Sequence, residues 1–203
     1  MAVPKNWPST LPYLTSPSHS KHLSPSQVQA LRTKPPSTST GPSIRPSTPS
    51  TVPAAYTQTP SGNVRIQTIQ TPSHPASGQR GLFATRDLKP GAFILPYLGR
   101  VHSSGPADTD PQSDYDLWLD KEAGVAVDAA RQGNEGRFVN DYRGVADRPN
   151  AEFGTVWCEK WAQLCVGFWV VGRPGKKGRV EGVRKGEEIL VSYGKGFWGE
   201  RPS

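Results

Sequence analysis

Acidic residues are missing from the first 77 positions of this 203-residue chain, cysteine occurs only twice, and apolar runs are short. Each shortage excludes something. Cys158 and Cys165 are too few for a disulfide framework, and their spacing fits no zinc ligand pattern. They read as two buried small hydrophobes in a reducing compartment. No stretch approaches the ~18 apolar residues of a membrane span, and residues 1–15 lack the continuous apolar segment of a secretory signal. The net charge of +7 is unevenly placed. Residues 1–77 carry six Lys or Arg and no acid, whereas residues 78–203 carry 18 basic and 17 acidic groups. The excess of positive charge therefore belongs to the N-terminal segment, and a DNA-binding face on the remainder is not expected.

What is abundant at the N-terminus is Pro, Ser and Thr, as in the run from Lys34 to Ser43 and again from Arg45 to Thr51. Such composition buries too little apolar surface to offset the entropy of ordering. Residues 1–61 are expected to form a disordered basic tail, with a short helix at Pro25–Arg32, and residues 62–203 one domain. Tail roles left open are plain solvation, docking to an acidic partner, phosphorylation and an address. The prolines argue against the amphipathic helix of a transit peptide.

From Asn63 onward the pattern changes. Val64-Arg-Ile-Gln-Thr-Ile alternates, as a half-buried strand does. Strands are expected at Gly81–Thr85, at Phe93–Val101 with Pro96 at an edge or bulge, as a hairpin over 114–119 and 124–128, at Ala151–Cys158 and Leu164–Val171, and at Glu188–Tyr193. Many short strands, frequent turns and no internal repeat give a mostly β fold with a real core.

Four segments then appear in order. They are Gly78-Gln-Arg-Gly-Leu-Phe-Ala-Thr with Leu88-Lys-Pro-Gly; Tyr97-Leu-Gly; Gly133-Asn-Glu-Gly-Arg-Phe-Val-Asn-Asp with Arg148-Pro-Asn-Ala; and Lys185-Gly-Glu-Glu-Ile-Leu-Val-Ser-Tyr-Gly. Together, over about residues 62–198, they resemble the SET-domain protein-lysine methyltransferases. The resemblance implies a β-clip fold of small curved sheets with a knot-like C-terminal threading, and S-adenosylmethionine as cofactor. It places the cofactor against Arg80, Gly81, Leu82, Phe83, Arg137, Phe138, Asn140, Asp141 and Trp198. It places Tyr97, Tyr115, Tyr193 and Phe197 along a lysine channel, and it makes Tyr193 the catalytic residue. No metal is expected.

The chemistry suits these residue types. Glycine at 81 permits close backbone approach to a ligand. Methyl transfer from a sulfonium to a neutral amine is an in-line displacement governed by alignment. A tyrosine hydroxyl at the end of an aromatic channel can hold the amine. Bland alternatives stand beside these: Arg137 as a surface charge next to a core Phe138, and Phe197-Trp198 as terminal hydrophobic docking. The chain departs from the family pattern where Asp141 replaces a histidine, Ser192 an aspartate and Val191 an aromatic, and where the link from Asp141 to Pro149 is long. An inert SET-like module that binds a peptide or protein is therefore the alternative to an enzyme. The partners expected are a histone or non-histone protein bearing the target lysine, with no direct nucleic-acid or membrane binding. A monomer is expected, and the reducing compartment together with the resemblance places it in the nucleus or cytoplasm.

Overall fold

The computed structural model describes residues 3–36, 50–175 and 178–194. Its elements run β1 (Ser18–His19), α1 (Pro25–Arg32), β2 (Ser50–Val52), β3 (Val64–Thr68), β4 (Arg80–Ala84), β5 (Phe93–Tyr97), β6 (Arg100–Ser103), β7 (Asp116–Asp120) and β8 (Val125–Asp128). A 3-10 turn at Glu135–Phe138 leads into β9 (Asn140–Asp141). Then come β10 (Ala151–Cys158), β11 (Gln163–Val170), β12 (Arg173–Pro174), β13 (Val180–Glu181) and β14 (Leu190–Val191). They form small sheets: β1-β6-β8-β7, β2-β10-β11-β5, and the pairs β3-β4, β12-β13 and β9-β14. This is the expected mostly β architecture. Among the described residues no helix is long and apolar enough to cross a membrane.

Local patterning explains the main strands. In β3, Val64 and Ile66 turn into the core and Arg65 outward, as the period of two requires. β11 is buried almost throughout because β10 and β5 flank it on either side, and its sequence is correspondingly apolar. Pro96, which has no N–H to donate, lies in β5 at the edge of that sheet. The expected continuous strand over 93–101 is broken at Leu98-Gly99, where the chain passes from one sheet to the next. A side chain at 99 would collide with the Asp128 carbonyl, so this crossing needs glycine.

The N-terminal segment differs from expectation wherever it is described. Residues 3–36 and 50–61 are not a free tail; they are built into the domain. β1 adds in parallel to β6, and β2 adds in parallel to β10. α1 opens on a capping box between Ser24 and Gln27, and the Gln27 amide also donates to the carbonyls of Ala123 (3.1 Å) and Gly124 (2.9 Å). Leu31 is 1% exposed and belongs to the main core. The physical reason is that a few apolar anchors suffice when sheet edges supply backbone partners, while the prolines fall at turns and at the first helical position.

A crossing near the C-terminus organises the site. Residues 141–150 form a loop that embraces the segment 188–191. On one side β14 pairs in parallel with β9, Leu190 opposite Asn140 and Val191 opposite Asp141, and Tyr142 N–H donates to Val191. On the other side Asn150 holds the same segment: its backbone and side-chain N–H groups donate to the carbonyls of Leu190 and Glu188, and its Oδ1 accepts Leu190 N–H. This is the threading that the sequence resemblance implies, and such crossings are rare.

Candidate active site

Two neighbouring groups of residues meet at this crossing. The first surrounds Asn140. Its Nδ2 donates to Glu188 Oε1 at 2.8 Å and, more weakly, to the Arg80 carbonyl at 3.5 Å. Glu188 is bridged to Phe83 on β4. The carboxylate of Glu188 lies so close to Gly81 that a Cβ there would sit 2.6 Å from Oε1. A side chain at 81 would have to displace the Glu188 carboxylate, whose side chain is only 9% exposed, so glycine there serves this acid as well as any ligand. Leu82 is fully buried and its carbonyl accepts Ile189 N–H, so it braces β4 against the C-terminal segment.

The second group surrounds Tyr193. Its backbone N–H donates to Asp141 Oδ2 at 2.7 Å, and its hydroxyl donates to the Val139 carbonyl at 2.6 Å. Burial, followed by the nearby charge of Asp141, pushes the Tyr193 phenol well above its ordinary value, so it stays protonated at neutral pH. Asp141 is buried and also accepts from the backbone and guanidinium of Arg143, each at 2.8 Å. Tyr97 packs edge-on against Phe168, and its hydroxyl donates to the Tyr115 carbonyl at 2.6 Å. Burial holds the Tyr97 phenol far above its usual range. The Arg137 guanidinium stacks 4.3 Å from the centre of the Tyr115 ring, while its Nε donates to the Ala129 carbonyl.

The structure therefore brings Arg80, Gly81, Phe83 and Asn140 to one wall, and Tyr97, Tyr115 and Tyr193 to another. Arg137 serves the tyrosine side. Phe138 is 7% exposed, and Trp7 packs edge-on against it at 5.6 Å. The Arg80 side chain turns to the N-terminal segment, where Nε donates to the Asn6 carbonyl at 3.0 Å. Phe197 and Trp198 lie outside the described residues. A separate cleft of about 560 Å³, bounded by Arg100, Asp108, Asp110, Asp128 and Arg131, contains none of the candidate residues.

Three contributors escaped the sequence reading. Glu188 carries a signal, since it is the second acid of the Gly-Glu-Glu motif. His74, whose Nε2 lies 3.0 Å from Glu188 Oε2, and Trp7 carry none, because what they touch is set by contacts distant in sequence. The acceptor-rich wall of Asn140, the Arg80 carbonyl and Glu188 fits the ammonium group of a ligand's amino-acid end.

The SET domain family matches residues 79–194. A histone-lysine N-methyltransferase, H3 lysine-36 specific, of Emericella nidulans is 30% identical over 131 residues, covering 60% of this chain and 12% of that protein. Human histone-lysine N-methyltransferase EHMT1 is 33% identical over 64 residues, covering 30% of this chain and 5% of its own length. The chain thus spans about an eighth or less of these curated relatives. Among solved structures, the polycomb repressive complex 2 of Chaetomium thermophilum is 24% identical, with a TM-score of 0.49, over 67% of this chain and 16% of that one. The same complex in an autoinhibited conformation bound to S-adenosylmethionine gives 24% identity and a TM-score of 0.48, over 64% and 15%. The match over 79–194 takes in both walls of the site and the crossing between them, and by it this chain belongs to the SET domain family.

Proposed function

We propose that this chain methylates lysine side chains of another protein, with S-adenosylmethionine as the methyl donor. One observation carries the reading: the β9–β14 crossing sets the Asn140 amide and the Tyr193 hydroxyl on adjacent backbone segments, each locked by hydrogen bonds. The two curated relatives, both histone-lysine methyltransferases by name, support it.

When bound, the cofactor supplies a methyl group on a sulfonium; the rest of the work falls to this chain. Gly81 lets backbone approach the ligand, and Asn140 with the Arg80 carbonyl presents acceptors to its amino-acid end. The backbone at Asp141 and the ring of Phe83 complete that wall. Tyr97 and Tyr115 line the lysine channel and exclude water. Tyr193 gives its proton to the Val139 carbonyl, so toward a substrate its oxygen can act only as an acceptor. It accepts a hydrogen bond from the substrate amine and aims the amine's own lone pair at the methyl group. A phenol held protonated cannot serve as the base, so the lysine must arrive neutral or lose its proton to water. The target is a lysine of a histone tail or of a non-histone protein, and the enzyme acts as a monomer in the nucleus or cytoplasm.

Calorimetric titration of S-adenosylmethionine into the full chain tests this, with Asn140→Ala and Tyr193→Phe alongside. The expected result is saturable binding by the wild type, lost in Asn140→Ala and kept in Tyr193→Phe. A folded wild type that does not bind the cofactor would leave the alternative, an inert module that recognises a peptide.

A further inference from the structure

We propose that His74, outside the family-matched segment, is a positioning residue that holds the Glu188 carboxylate in the place from which it sets the hydrogen-bonding direction of the Asn140 amide. The inference rests on the methyltransferase reading, in which Asn140 holds the cofactor. His74 lies in the loop between β3 and β4, is 8% exposed, and is 114 residues from its partner Glu188.

The chain of donors and acceptors has a fixed sense. The backbone N–H of Ala76 donates to His74 Nδ1 at 2.9 Å. Nδ1 must therefore be unprotonated, which puts the ring hydrogen on Nε2. Nε2 lies 3.0 Å from Glu188 Oε2, so it donates to that oxygen. The other oxygen, Oε1, faces Asn140 at 2.8 Å. A carboxylate only accepts, so Asn140 must present its NH₂ group there. The amide has one remaining end, Oδ1, and that end is left to meet a ligand. An acceptor suits the ammonium of an amino acid; the reversed amide would present NH₂ and repel it. The carboxylate fixes the polarity of the amide, and the loop N–H, through His74, holds that carboxylate where Asn140 meets it.

Gly81 is part of the same device, because any side chain there would strike Glu188 Oε1. His74 itself has no means of touching the ligand through this chain of contacts; it acts by holding Glu188 in one rotamer. The two side chains are only 6% and 9% exposed, so water is a poor substitute for either partner.

The test uses the full chain with His74→Leu, His74→Gln and Glu188→Gln. Gln at 74 can still donate to Glu188, whereas Leu cannot. Gln at 188 can turn its own NH₂ toward Asn140 and reverse the amide. Two readouts are taken: the Kd for S-adenosylmethionine by calorimetry, and the NMR signals of the Asn140 side-chain NH₂ in the cofactor-free protein. His74→Leu and Glu188→Gln are expected to weaken binding about tenfold, the loss typical of one hydrogen bond to a charged group, and to shift the amide signals. His74→Gln is expected to restore both. A His74→Leu protein that melts earlier but binds at the wild-type Kd with unshifted Asn140 signals would overturn the inference and leave His74 a packing residue. Absence of binding by the wild type would instead sink the methyltransferase reading. The NMR signal would then still decide the inference, since an amide unmoved by His74→Leu overturns it and a shifted one upholds the His74–Glu188–Asn140 relay.

Discussion

The carboxylate of Asp141 accepts the backbone N–H of Tyr193 at 2.7 Å, so the residue that replaces a family histidine ties down the candidate catalytic tyrosine. The same buried side chain receives two hydrogen bonds from Arg143. The departure from the family pattern thus has a structural use: the acid links the strand at 140–141 to the segment that follows β14.

Asp141→Ala should destabilise the protein by about 2 kcal/mol, because it strands the part-buried Tyr193 N–H and unpairs Arg143. Asp141→Asn should cost less, since its carbonyl oxygen can still accept from Tyr193. Urea denaturation of the two variants checks the order, and equal stability to wild type would show that the tie is dispensable.

Tyr193→Phe removes the hydroxyl that donates to Val139 and, on the proposed mechanism, the acceptor for the substrate amine. Methyl transfer to a lysine peptide should fall by roughly a hundredfold or more, with cofactor binding unchanged. Because the phenol is held protonated, no loss of rate from tyrosine ionisation is expected between pH 7 and 9. An activity that survives the substitution would move catalysis elsewhere.

His102 offers a pH test of stability away from the Asn140 wall. Its Nε2 faces Asp116 at 3.0 Å and its Nδ1 faces the Ser103 carbonyl at 2.9 Å, so both nitrogens point at acceptors, with Asp108 nearby. The hydrogen bond to Asp116 raises its pKa above the ordinary 6.5, against the opposing effect of burial. A raised folded-state pKa means that the folded protein holds the proton more tightly. The contribution is complete below the unfolded pKa and is lost as pH climbs through the folded one. Stability of the wild type should therefore decline above neutrality by a component absent in His102→Gln. Denaturation midpoints for both proteins at a series of pH values measure it, and parallel profiles would refute it.

Trp7 packs edge-on against both Tyr13 and Phe138, and the Tyr13 hydroxyl donates to buried Glu135 at 2.9 Å. Trp7→Ala should cost about 2 kcal/mol from two lost ring contacts. Deleting residues 1–14 should lower the melting temperature further. A free tail would predict no change in either experiment.

How much of this was legible beforehand can be seen residue by residue. The short helix at Pro25–Arg32 was readable because its signals are local, and so was the alternation of Val64 and Ile66. The four family segments were readable because residue identity and order carry them, and they delivered Gly81, Asn140 and Tyr193 to one region. The described stretches of the N-terminal segment, 3–36 and 50–61, depart from expectation for the opposite reason. Composition counts how little apolar surface a segment owns, and cannot show that β6 and β10 offer it open edges, or that Leu31 has a hole to fill. The sequence by itself determined the β class, the family and the identity of the chemical groups, since these follow from short-range pattern and motif. The tertiary structure alone decided that Asp141 would restrain Tyr193, that Trp7 would cover Phe138, and that His74 would reach Glu188. Each of those contacts joins residues more than 50 positions apart, and only the path of the chain, the C-terminal crossing for two of them and the docked N-terminal segment for Trp7, brings such partners within a hydrogen bond or a ring contact.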